Sequence, residues 1–313
     1  MAGWWADCLL IMSGYAAGKN VSCLRNRVSP KKSGGGSLHV WLPIVALGLV
    51  VGLLYVRIMI ALVGDWLHDP NYSHGFLIIP FSGFLVWRKR KLLIETPVRP
   101  SLWGLATIVA AMAILIVGTL GAELFLSRSS LIILLSGMVL YFGGWRWLRV
   151  LAFPLAVLFL MIPLPVIVFN QISLPLQFLS SRLATGFLSF TGVPVLREGN
   201  VIRLPAMSLE VAQACSGIRS LISLLALAVI YGYLFEPALR IRVILVGASV
   251  PIAVLANALR IMATGLIVQY WNPEMASGVF HEFSGWLIFV FTLFLLYVFH
   301  RVLRFGSVSV FHV

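Results

Sequence analysis

"VWLPIVALGLVVGLLYVRIMIALV", residues 40–63, carries a single charge, Arg57. As a helix rising 1.5 Å per residue, this stretch is about 36 Å long, more than the roughly 30 Å hydrocarbon core of a bilayer requires. Comparable apolar runs follow at 75–87, 102–122, 129–143, 148–165 and 214–234, then from Val243 onward and over 284–303. Of the 313 residues 60% are hydrophobic and 11% are charged, and the mean hydropathy is +1.01. A soluble core does not need so much apolar surface. The sequence therefore predicts an all-α polytopic membrane protein with about eight transmembrane helices.

The net charge of +13 would suit a nucleic-acid binder. In a membrane protein, basic residues at the cytoplasmic ends of helices explain it better, so the expected partner is the lipid bilayer and not nucleic acid. Residues 1–38 hold Lys19, Arg25, Arg27, Lys31 and Lys32 and end in "SGGGS", which reads as a flexible basic leader. The transmembrane domain is expected over 39–304, with a short tail at 305–313. With eight spans, the leader, "WRKRK" (87–91), "WRWLR" (145–149), "LRIR" (239–242) and "HRVLR" (300–304) all fall on one side. The positive-inside rule makes that side cytoplasmic, with both termini. The opposite, external side receives the acidic loop at 64–74, the turn near Glu123, residues 166–213 and the loop at 270–283.

Residues 166–190 mix polar and apolar positions at near-helical spacing, which predicts an external interfacial helix. "REGNVIRLPAMSLEVAQ" (197–213) reads as two short strands around Pro205, a β-hairpin before the sixth span. Cys8, Cys23 and Cys215 give no disulfide framework and no CxxC spacing. His68, His74 and His281 show no ligand spacing, so neither a metal nor a cofactor is expected. No cleavable signal peptide is evident in residues 1–17.

The chemistry-bearing residues gather on the external side. In "VAQACSGIRSLISLL" (211–225), Cys215 opens the sixth span. The positive end of the helix dipole and nearby cations favour its thiolate. Arg219 lies four residues on, on the same face; it either assists the thiolate or bridges to a carboxylate. Gly217 permits close approach at the helix start. In "ANALRIMATG" (256–265), Arg260 interrupts a long apolar run, and Asn257 stands one turn before it to orient it. A charge in such a run faces a cavity or a partner, or snorkels to the surface. In "VFHEFSGW" (279–286), His281 precedes the last span. Thiol, base and cation are the groups that acyl transfer uses. His74, with Asp69, Tyr72 and Ser73 in the first external loop, is a rival base.

These motifs resemble those of the exosortase/archaeosortase family. "GNVIRLP…LEVAQACSGIRSL", "NALRI" and "HEFSGW" occur in family order, and "DPNYSHGFLIIP" (69–80) matches a further family block. The resemblance implies a membrane-embedded cysteine transpeptidase of the bacterial inner membrane whose catalytic residues map to Cys215, Arg260 and His281. It implies exported substrates with a C-terminal sorting signal: a short motif such as Pro-Glu-Pro, a transmembrane helix and a basic tail. Cleavage would pass through a thioester acyl-enzyme, resolved by an acceptor nucleophile or by water. Two other readings stay open. One is an intramembrane protease of another type, for instance with Ser216 as nucleophile. The other is a transporter with a path lined by Arg57, Arg219 and Arg260, against which the lack of an internal repeat weighs.

Overall fold

The computed structural model describes residues 37–211, 217–271 and 279–309, with side-chain surroundings over 45–211, 217–271 and 283–305. The chain divides into Met1–Gly52 and Leu53–Val313; the packing below is that of the second unit. In order run α1 (Ser37–His68), α2 (Gly75–Arg88), a short α3 (Arg90–Glu95), α4 (Trp103–Leu120), α5 (Leu124–Phe142) and α6 (Trp145–Val157), which a 3-10 turn extends over Leu158–Met161. After α7 (Val166–Phe190) come the strands β1 (Leu196–Glu198), β2 (Val201–Arg203) and β3 (Ser208–Glu210). Three long helices follow: α8 (Ile218–Phe235), α9 (Leu239–Tyr270) and α10 (Val279–Ser309).

The protein is a multi-pass membrane protein. Among the described residues, six helices are long and apolar enough to cross: α1, α4, α5, α8, α9 and α10. Large apolar side chains such as Leu53, Ile60, Leu77, Val109 and Phe294 are exposed along these and neighbouring helices, as expected where lipid is the solvent. The bent pair formed by Trp145–Met161 and Val166–Phe190 makes a seventh span if the two pieces are one. The expected count of eight includes 75–87, where α2 has 14 residues. That is about 21 Å of helix, short of the hydrocarbon core.

The bend follows from two prolines. Pro163 and Pro165 supply no N–H, and each pushes the residue before it into extended backbone. Ile162 is extended, with φ −88° and ψ 123°, and the two helical pieces meet at 76°. Past the bend, α7 keeps the two-faced pattern that the sequence predicts, and the structure shows which way each face turns. Its Ser173, Gln177, Ser180, Ser181 and Ala184 are buried, while Ile167, Leu174, Phe178 and Leu179 face outward. The polar stripe turns toward the protein, where α7 packs on α9. Beyond α7 the structure has three strands where two are expected. They form one antiparallel sheet in the order β1-β2-β3, with Ile202 opposite both Arg197 and Leu209.

α4 and α5 pack tightly against each other. A Cβ on Gly104 would overlap the Tyr141 backbone, and one on Gly137 would stand 2.9 Å from Ile108 Cγ1. Small residues let two helices approach when no water-driven force presses them together. The sequence reading begins this span at 129. The structure begins it at Leu124 and buries Arg128 in its second turn, where the guanidinium lies 2.6 Å from Asp65 of α1.

At the far end of α8, Glu236 is buried under a small polar network. His300 of α10 lies 3.0 Å from its Oε2, and Tyr231 holds the other ring nitrogen of His300 at 2.7 Å. Burial alone would raise the Glu236 carboxyl. The contact with His300, the Ala238 N–H and the positive Arg304 outweigh it and hold the group below its ordinary range.

The α4–α5 approach gives a direct test. Gly104→Ala lowers the thermal unfolding midpoint of the detergent-solubilised protein, with a loss of about 1–3 kcal/mol from overpacking. Gly83→Ala is the control, because a Cβ there meets nothing within 4 Å. A midpoint unchanged by Gly104→Ala would mean that the two helices do not pack this closely.

Candidate active site

Three helices meet where the sequence places its chemistry. Gly217 caps α8 in the left-handed region, φ 79°, and its carbonyl accepts from Leu221 N at 2.8 Å. A side chain at Gly217 is opposed twice. The conformation disfavours a Cβ, and that Cβ would lie 2.9 Å from both Cβ and Cγ of Asn257 on α9. Asn257 is fully buried and donates from Nδ2 to Ser180 Oγ of α7 at 3.3 Å. One asparagine therefore joins α7, the start of α8 and α9.

Arg260 sits one turn further along α9. Its Nε donates to Ser284 Oγ of α10 at 3.2 Å, and its guanidinium lies over Gly285, where a Cβ would come within 3.3 Å of a terminal nitrogen. The backbone of His281 lies in the first turn of α10, three residues before Ser284 and so on the same face. Cys215 and Ser216 lie outside the described residues, as does the side chain of His281. In the sequence Cys215 is two residues before Gly217, whose added Cβ would meet Asn257.

Arg219 is on the exposed side of the first turn of α8. Arg57 is likewise exposed on α1.

Asp69, Tyr72 and His74 form a second group, and their contacts explain the polar loop. Asp69 Oδ1 accepts from the backbone and side-chain nitrogens of Asn71, at 2.9 and 2.7 Å. The Tyr72 hydroxyl accepts from Leu164 N at 3.3 Å, and His74 Nε2 lies 3.0 Å from Leu160 O. Trp66 adds a third bond, from Nε1 to Met161 O at 2.9 Å. All three side chains bind backbone groups that the broken α6–α7 span leaves open. Burial pushes the His74 imidazole below its ordinary range, against the opposing pull of the Leu160 carbonyl. Burial likewise raises the Tyr72 phenol. His74 is thus engaged at the break through Nε2, while its Nδ1 is buried with no hydrogen-bond partner among the described residues.

The two groups share one apolar core. Tyr72, Trp66, Ile162 and Phe169 pack in the same cluster as Ile218, the first residue of α8. Sequence reasoning missed Ser180, Ser284, Gly285 and Arg128. Ser284 and Gly285 lie inside the quoted "HEFSGW". Ser180 carried a signal only in the polar stripe of 173–181.

Residues 66–298, well over half of the chain, match the family model described as "Transmembrane exosortase (Exosortase_EpsH)". The chain belongs to this family. No curated protein and no solved structure matches it. Membership as an exosortase supports a membrane transpeptidase-type function in general. The matched region holds every residue discussed above as a candidate except Arg57.

An exosortase built this way tolerates no side chain at Gly217. Gly217→Ala sharply lowers activity per inserted enzyme, since the added Cβ pushes the start of α8 and Asn257 apart. Gly199→Ala is the comparison, with a similar φ of 65° and only the Phe178 ring 3.6 Å from the added Cβ. Equal losses in both variants would reduce the effect to backbone strain.

Proposed function

We propose that this exosortase cleaves the C-terminal sorting signal of exported proteins by cysteine chemistry. The Cys215 thiolate attacks the scissile carbonyl and forms a thioester. His281 takes and returns the protons, and Arg260 stabilises the thiolate or the tetrahedral oxyanion. Asn257 and Gly217 position the nucleophile's segment. The observation that carries the reading is the convergence of α8, α9 and α10. Gly217 abuts Asn257, and Arg260 bonds Ser284 one turn from His281. A transporter path finds no such support, because Arg57 and Arg219 are exposed while Arg260 packs against α10.

The proposed orientation follows the basic clusters, with both termini cytoplasmic in the inner membrane and the site external. It requires the path over 75–95 to cross. Support comes from its nearly continuous helix, where Lys89 N still bonds Leu85 O and Leu93 N bonds Lys89 O. The substrate's transmembrane helix would then lie beside the bundle with its basic tail inside and its short motif level with Cys215.

Cys215→Ala abolishes processing while the protein still inserts, and Cys215→Ser is nearly as damaging because the alcohol ionises far less readily than a thiol of pKa about 8.5. Arg260→Lys, a point charge without the planar fork of donors, loses about 100-fold to 1000-fold in rate. Normal processing by the alanine variant would refute cysteine catalysis and return Ser216 as the nucleophile. Reporter fusions at residues 95, 146 and 238 read cytoplasmic, and fusions at 69 and 200 read external. A cytoplasmic signal at 200 would put Cys215 on the wrong side.

A further inference from the structure

Tyr233, in the last turn of α8, gathers charge from two other parts of the chain. Lys89 Nζ, at the α2–α3 junction, lies 5.5 Å from the centre of its ring. The Arg242 guanidinium, in the first turn of α9, lies 5.2 Å from the same centre. Phe153 of α6 stacks on that ring, with centroids 3.5 Å apart and planes 8° apart. Each cation is tied by one backbone carbonyl. Lys89 donates to Val150 O, and Arg242 donates through Nε to Glu236 O, both at 2.6 Å. Two half-buried positive charges are thus held within roughly 11 Å of each other, and partial burial limits how far salt screens them.

No acid balances the pair. Among the described residues, the ion pairs leave out both Lys89 and Arg242. Glu236 is the acid closest to Arg242 in the chain, and its carboxylate already has His300, the Ala238 N–H and Arg304. Donors remain over. Val150 takes one of the three N–H groups of Lys89. The terminal nitrogens of Arg242 make no hydrogen bond among the described residues. The ring of Tyr233 attracts both cations but carries no net charge to offset them. A planar guanidinium fork beside an ammonium suits phosphate oxygens.

The surroundings say which phosphate. The same helices expose large apolar side chains within two turns of the cations. Phe84 and Trp87 of α2 are 45% and 59% exposed, and Val243, next to Arg242, is 63% exposed. A free anion gains nothing from that apolar surface, whereas acyl chains lie along it. A choline headgroup brings its own cation toward two others. We propose that the Lys89–Tyr233–Arg242 junction is a headgroup site for an anionic phospholipid, with phosphate oxygens on Arg242 and Lys89 and acyl chains along α2 and α9. Such a lipid joins α2, α8 and α9 at the basic end of the bundle. The junction is at the opposite end of α8 from Gly217, so its occupant is independent of the chemistry proposed there.

The test is native mass spectrometry of the full-length enzyme in maltoside micelles holding equal amounts of phosphatidylglycerol and phosphatidylcholine. The wild type retains phosphatidylglycerol about tenfold more, the difference expected of one charge-assisted hydrogen bond. Lys89→Gln and Arg242→Gln each remove most of that preference. Arg88→Gln and Arg240→Gln delete the same charge from exposed neighbours and keep the preference within about twofold. Arg242→Lys keeps the charge and loses only the fork, so it folds whatever the glutamine variant does, and it lowers the preference about threefold. Equal retention of the two lipids by the wild type overturns the site. So does an equal loss in all four glutamine variants, which assigns the preference to diffuse surface charge, and so does a full preference in Arg242→Lys together with Lys89→Gln. Inorganic phosphate is the last arm: phosphatidylglycerol that stays bound against it supports the lipid, and displacement assigns the junction to a free anion and overturns the lipid.

Discussion

Gly217 and Asn257 touch where neither has room to yield. The asparagine is fully buried, its amide reaches Ser180 on α7, and its Cβ and Cγ would stand within 2.9 Å of any side chain grown on the α8 cap. Three helices from distant parts of the chain are thereby registered to one another at a single depth. Arg260 inherits its height from this contact, since it follows Asn257 by one turn, and it passes that height on to α10 through Ser284. The geometry of the candidate site is a consequence of packing on a glycine. A looser joint would leave Arg260 and the first turns of α10 to shift relative to the start of α8.

The charges away from that joint obey the cost of burying ions in a poorly hydrated medium. Arg128 has Asp65 at 2.6 Å, and Glu236 has His300, the Ala238 N–H and Arg304. These pairs tie the helix α5 to α1 and α10 to the end of α8. At the basic end, Lys89 is drawn to the Val150 carbonyl and the face of Tyr233, and Arg90 lies over Trp87. There the cations are held by carbonyls and rings instead of by acids.

Much of this was legible in the sequence because apolar length is a strong signal. The long spans follow from counting residues, and so does the one-turn spacing of Asn257 and Arg260 on a single helix. What stayed hidden has physical reasons. Periodicity shows that a helix has two faces but not which one turns inward, so the burial of the serine-rich stripe of α7 could not be read from it. Arg128 marked the edge of a span only because its compensating carboxylate, Asp65, is far away in sequence. Apolar length also hid that the helix over 75–88 has 14 residues and continues, after a break at Lys89, into a second short helix. The strand β1, Leu-Arg-Glu, is exposed throughout and has no alternation to announce it.

The broken α6–α7 span has a further consequence, for assembly. Its open backbone groups are completed by Trp66, Tyr72 and His74, which lie 95, 92 and 86 residues earlier in the chain. During synthesis that loop leaves the ribosome long before the prolines that create the break. The early segment must therefore wait, already in place, as a mould for a later one. Replacing the loop would then be felt first in biogenesis, as a late span that fails to seat, and only afterwards in the finished enzyme.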